Sequence, residues 1–179
     1  MTLNNFTAAV RAALATALGS SWEVAAADDE WAALSLLAGS APGRYRLVII
    51  AGRLAPESGG PAGLVCRNNF SFIVQVKRGM DQNATATTIS TLMDCEETVR
   101  LYALSLYFQL PGAAAPTAAT VASGADQHPG AGQFRFEGSD IYTPSLEDVA
   151  LQHPARVLTF SNLVALNSPT NATLVPVSV

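Results

Sequence analysis

Lysine is almost missing from this chain: Lys77 is the only one among 179 residues, against nine arginines. Charged residues make up 13%, and the formal net charge is −4. So few cations on an acidic chain exclude a domain built to grip a nucleic-acid backbone, which needs a basic surface. Alanine is abundant, and arginine in place of lysine reads as the codon bias of a GC-rich genome. Cysteine is equally sparse. Cys66 and Cys95 are too few and too far apart for a disulfide scaffold. They read as two buried thiols in a reducing compartment, and the spacing leaves open whether they pair. No run of eighteen apolar residues occurs, so no membrane-spanning helix is expected. The start, Met1 to Phe6, lacks the basic opening and unbroken apolar core of a secretory signal. The Asn-x-Ser/Thr sequons at Asn5, Asn69, Asn83 and Asn171 are accordingly read as incidental.

What is present is a core-forming composition, 49% apolar, at a length suited to one domain spanning residues 1–179. Phe6, Val10, Leu14 and Leu18 recur every four residues and predict an amphipathic helix over 3–18, with Thr2 as its cap and Gly19 as its stop. Trp22 to Ala26 read as a short strand. Asp28-Asp29-Glu30 opens a short helix carrying Trp31, Leu34 and Leu37, closed by Gly39. Strands are predicted over 44–53 and 64–77. In the second of these, Leu64, Cys66, Phe70, Phe72, Val74 and Val76 alternate with polar residues, so one side packs on a core and the other meets water or a partner. Residues 54–63, rich in Pro and Gly, read as a long exposed hairpin connection.

A second helix is predicted over 91–108, with Thr91 and Asp94 at its start and Glu96 paired to Arg100. Residues 111–132 are low in complexity and predict a flexible loop or arm within the domain. Short alternation over 133–137 and a strand at 156–166 follow, with 138–154 as an irregular connection. The segment 168–179 reads as an extended tail that Pro176 confines to an edge or leaves as a free arm. The expected class is α+β: a mostly antiparallel sheet, two main helices on one face, a long hairpin and a long loop.

Chemistry is thin. His128 and His153 both precede proline and share no short metal-ligand spacing with Cys66 or Cys95. No phosphate loop, dinucleotide fingerprint or Gly-x-Ser-x-Gly occurs. The carboxylates Asp94, Glu96 and Glu97 read as a solvated face at a helix start. No catalytic residue, metal or cofactor is assigned. Arg44, Arg46, Arg53, Arg67, Lys77 and Arg78 come from the central strand pair and, with Glu57, are the candidate partner-contact residues. Pooled on one face, the cations make a local basic patch; spread out, they belong to a solvated sheet.

The order of elements resembles the tail terminator (tail completion) proteins of long-tailed bacteriophages. The residues that carry this resemblance are the opening helix Leu3–Leu18, the strand pair ending in Asn-Phe-Ser-Phe-Ile-Val-Gln-Val at 69–76, the helix Leu92–Phe108, and a closing segment. That segment runs from Phe134-Arg-Phe-Glu-Gly-Ser-Asp-Ile-Tyr to Ala155-Arg-Val-Leu-Thr-Phe-Ser-Asn-Leu-Val-Ala-Leu. The resemblance spans most of the chain and rests on element order. The loop at 111–132 and the tail beyond Asn167 exceed a minimal subunit of that family. It implies a virion protein, assembled in the bacterial cytoplasm, that forms a homo-oligomeric ring, as a hexamer. The ring would end tail-tube polymerisation, contact the tube protein and the head connector or neck proteins, and let DNA pass through its lumen without reading sequence. Other outlines remain open at this point: a head-completion or stopper protein, a small hydrolase whose acid–base residues read as surface, or a cell-surface binding module.

Overall fold

Helix α1 (Leu3–Leu18) forms where the four-residue apolar spacing predicts it, and Val10, Leu14 and Leu18 are buried apolar side chains on it. Gly19 ends it at φ +78°, a conformation a side chain resists, and its N–H donates to Ala15 O at 3.2 Å. The computed structural model describes residues 3–39, 44–60, 63–77, 85–109, 132–144, 151, 153–166 and 175–178. The proposed cap Thr2 lies outside them, as do Arg78, His128 and residues 110–131, the bulk of the predicted arm.

Strand β1 (Trp22–Ala27) leads through helix α2 (Glu30–Ala38) into strand β2 (Tyr45–Gly60). Asp29 caps α2: its Oδ1 accepts from Ala32 N at 2.8 Å. Gly39 N–H donates to Ser35 O at the other end. β1 and β2 are parallel, with α2 as the crossover, and Trp22 stands opposite Tyr45. Strand β3 (Gly63–Val76) returns antiparallel from Gly60↔Gly63 to Tyr45↔Val76. Strand β7 (Ala155–Leu166) pairs antiparallel with β3, and strand β6 (Arg135–Ile141) pairs antiparallel with β7. The result is a five-stranded sheet in the order β1-β2-β3-β7-β6, antiparallel but for one pair.

One sheet face carries the main core. Leu47, Ile49, Phe70, Phe72, Val74, Val76, Leu158 and Phe160 point to it, and α1 and helix α3 (Thr85–Ser105) cover it. Phe134 is wedged among Phe70, Phe72 and Phe160 with ring centroids 5.3–6.0 Å apart, all three contacts edge-on. Each fully buried ring contributes about 1.5–3 kcal/mol through area, and the edge-on contacts add roughly 0.5–1.5 kcal/mol. The opposite face carries a smaller cluster of Val48, Ile73 and Ala155 beneath Ala33 and Leu37 of α2. The class is therefore α+β with two main helices on one face, as expected, and a third short helix on the other. Of the three apolar residues expected on this short helix, Leu34 and Leu37 are buried and Trp31 is exposed.

Four boundaries differ from expectation. The segment 54–63 is not an open connection: the β2–β3 ladder continues through Leu54↔Asn68, Pro56↔Cys66 and Gly59↔Leu64. β1 reaches only Ile50, so beyond it β2 is an edge and Pro56, lacking an N–H, costs no ladder bond on that side. Register shifts between Ala51 and Leu54 and between Pro56 and Ser58 absorb the misfit. Helix α3 begins at Thr85, so Thr91 and Asp94 lie inside it, and it ends at Ser105, whose Oγ donates to Tyr102 O at 2.8 Å. The last residues of the predicted helix instead form strand β4 (Leu106–Gln109). β4 lies in a second sheet between strand β5 (Gly132–Gln133) and strand β8 (Val175–Ser178), in the order β5-β4-β8. The end of the chain is thus an edge strand with Pro176 opposite Phe108. Residues 138–141, expected to be irregular, belong to β6.

Both edges of the large sheet carry a side-chain cap. On β1, Arg11 Nε of α1 donates to Val24 O at 3.2 Å. On β6, Asp140 Oδ1 accepts the N–H of Ile141 at 2.7 Å. No helix among the described residues is long and apolar enough to cross a membrane.

Candidate functional site

The α2 face of the sheet is covered only in part. Register places Arg67, Asn69, Ser71, Ile73 and Gln75 of β3 on this face, with Val157, Thr159 and Ser161 of β7 beside them. The small α2 cluster occupies the end near Val48 and Ile73. Towards the other end, Asn69, Ser71 and Thr159 are half-buried polar residues. At their margin four side chains converge. Arg67 Nη1 donates to Ser161 Oγ at 3.1 Å, and Ser161 Oγ donates to Glu137 Oε1 at 2.5 Å. Arg67 and Arg135 each lie 3.8 Å from the same Glu137 oxygen. The group joins β3, β7 and β6. Ser161 is 1% exposed, so its hydroxyl relays between arginine and carboxylate and has no open approach for a substrate. Alternation with Phe134 and Phe136 was the signal that would have put Arg135 and Glu137 on the face away from the core.

The predicted cations that lie within the described residues fall in different settings. Arg67 of β3 and Lys77, just past the end of that strand, stand ten positions apart, about 33 Å along extended chain. Arg46 is 5% exposed and is no contact residue at the surface. Its Nε donates to Glu23 Oε2 at 3.0 Å, its Nη2 to Gly39 O at 3.0 Å, and its Nη1 to Leu36 O. Arg46 therefore caps the carbonyl end of α2, where positive charge complements the helix dipole. Arg44 is exposed, with its guanidinium 5.6 Å from the Tyr45 ring centroid. Lys77 is half-buried, and its backbone N–H donates to Arg44 O at 3.1 Å. Arg53 and Glu57 fall in the β2 segments where the register shifts, and Arg78 lies outside the described residues.

The helix carboxylates separate into different roles. Glu97 is exposed, 3.9 Å from Arg100. Glu96, expected on the solvated face, is 8% exposed and pairs with Arg156 Nε of β7. Arg156 Nη2 also donates to Ser139 Oγ at 3.3 Å. The partner stands sixty residues further along the chain, beyond the reach of helix spacing rules.

Cys95 is a buried free thiol in the main core, as its place on the apolar stripe predicts. Burial, then the charge of Asp94, push its pKa up to about 11 against a smaller lowering by Arg44. Such a thiol is a poor nucleophile at neutral pH. Tyr142 is pushed up to about 12 by burial and by Glu30, whose Oε1 accepts from its hydroxyl at 3.4 Å. Among the described residues no three metal-ligating side chains converge. No protein-family model matches the chain, and no curated protein matches it.

Proposed function

We propose that this chain is a structural subunit of a phage tail, of the tail terminator type, which assembles as a ring that caps the tail tube. The observation that carries the reading is the long hairpin. β1 ends at Ala27, opposite Ile50, and β6 begins opposite Ser161, yet β2, β3 and β7 continue together to Gly60, Gly63 and Leu166. A three-stranded extension past the widest part of a sheet is longer than one small core requires. It suits a subunit that reaches a neighbouring copy. The half-buried polar surface of Asn69, Ser71 and Thr159, rich in hydroxyls and amides, suits a wet contact between subunits. The resemblance in element order, from opening helix to closing strand, supplies the biological setting.

Native mass spectrometry and negative-stain imaging test the reading, with the chain alone and mixed with tail-tube protein. A ring of about six copies seated on tube ends is expected. A chain that stays monomeric in both conditions and leaves tube length unchanged refutes it. Binding to the head connector, with no effect on the tube, turns the assignment to a stopper or head-completion subunit.

A further inference from the structure

Asn68 and Asn162 stand directly opposite each other across β3 and β7. Both are on the core face, at 0% and 2% exposure. All four of their amide atoms, Oδ1 and Nδ2 of each, lack a hydrogen-bond partner within the protein. Leaving buried amides unmatched is costly, and native folds satisfy such groups with protein or ordered water. On the next core-facing position Phe70 stands opposite Phe160 and closes one side with aromatic wall. Across from β3 the ladder is locally broken: Gly52 and Arg53 of β2 face the single residue Asn69. A bulge of this kind leaves backbone groups free of the ladder.

We propose that Asn68 and Asn162 share an internal site for a small neutral hydrogen-bonding guest, which is an ordered water in the free protein. Directly opposed residues hold their Cβ atoms about 4.5–5.5 Å apart, so both carboxamides reach one molecule between them. Water offers two donors and two acceptors, and two amides offer both complements. An ion is disfavoured beside the paired phenylalanines, because two neutral amides leave its charge uncompensated. The site is distinct from the Arg67–Ser161–Glu137 group, which lies on the other face of the same strands.

Water–amide cross-relaxation in an isotopically labelled sample of the full chain tests this directly. Both side-chain NH2 groups are expected to show contact with a water of long residence. In Asn68→Leu the contact at Asn162 disappears, and in Asn162→Leu that at Asn68 disappears. Each single variant lowers Tm by about 3–6 °C, and the double variant Asn68→Leu/Asn162→Leu loses less than the two added together. Absence of long-lived water at both amides of the unaltered protein overturns the proposal, and that measurement stands even where a variant does not fold. Retention of the water at one amide after loss of the other, or strictly additive losses of Tm, also overturns it.

Discussion

Replacing Arg156 by alanine strands the carboxylate of Glu96 against the core side of α3. The Glu96 side chain is only 11% exposed, and Arg156 is the base that faces it from β7. Breaking a buried ion pair from one side ordinarily costs about 3–5 kcal/mol, most of it the desolvation of the charge left behind. Arg156 is more accessible, 23% exposed, and keeps its bond to Ser139 when Glu96 is removed. The two truncations are therefore unequal: about 3 kcal/mol for Arg156→Ala and about 2 kcal/mol for Glu96→Ala. At this chain length each kcal/mol moves Tm by roughly 2–4 °C, so losses of about 6–12 °C and 4–8 °C are expected. The double variant Glu96→Leu/Arg156→Leu removes both charges at once, and it is expected to lose about 1–2 kcal/mol less than the singles added together. Urea unfolding with an unchanged m-value measures all three. High salt should leave the difference largely in place, unlike the exposed Glu97–Arg100 pair, which is worth only a few tenths of a kcal/mol. Additivity of the singles to within about 0.5 kcal/mol, or a cost below about 1 kcal/mol for Arg156→Ala, refutes the claim that this pair fastens the helix to the sheet.

Two further outcomes follow from the same geometry. Cys95 keeps its proton to about pH 11 in the fold but releases it near pH 9.0 when unfolded. Rising pH therefore favours the unfolded chain within that window, by up to about 1.4 kcal/mol per pH unit. Stability measured from pH 8 to 11 should fall more steeply for the unaltered chain than for Cys95→Ala, and identical slopes contradict the burial argument. Arg46→Met removes the cap on the carbonyl end of α2 and leaves Glu23 without that partner. Hydrogen exchange should quicken at the α2 amides by about tenfold or more while α1 and α3 stay protected; uniform change across the chain shows that Arg46 supports the whole sheet instead.

The sequence carried the parts of the fold that rest on periodicity. α1, β1, β3 and β7 fall where four-residue and two-residue spacing put them, because one face of each packs on the main core: Val10 and Leu14, Trp22 and Val24, Phe70 and Phe72, Leu158 and Phe160. The Asp29 cap was equally readable, since a carboxylate just ahead of the turns that carry Leu34 and Leu37 satisfies helix N–H groups locally. Long-range competition hid the rest. Pro56, Gly59 and Gly60 have the composition of a loop, yet an antiparallel partner and an open flank let them sit in a ladder. Leu106 to Gln109 continue the helical apolar pattern, but β5 and β8 offer them strand partners from far along the chain. The charged residues were the least legible. Arg46, Glu96 and Arg67 owe their roles to Glu23, Arg156 and Glu137, and no spacing rule links them.

Arg11 on Val24 and Asp140 on Ile141 bear on how copies of this chain can meet. An exposed strand edge is a template: it recruits any extended backbone, including that of an identical neighbour, and growth by that route has no natural end. Here one outward carbonyl of β1 and one outward N–H of β6 are already occupied by side chains of the same molecule. A second copy approaching either flank must displace a guanidinium or a carboxylate before its own backbone can bond. Contacts through sheet face, helix surface or hairpin meet no such toll. The two caps thus disfavour the addition of a further strand along β1 or β6.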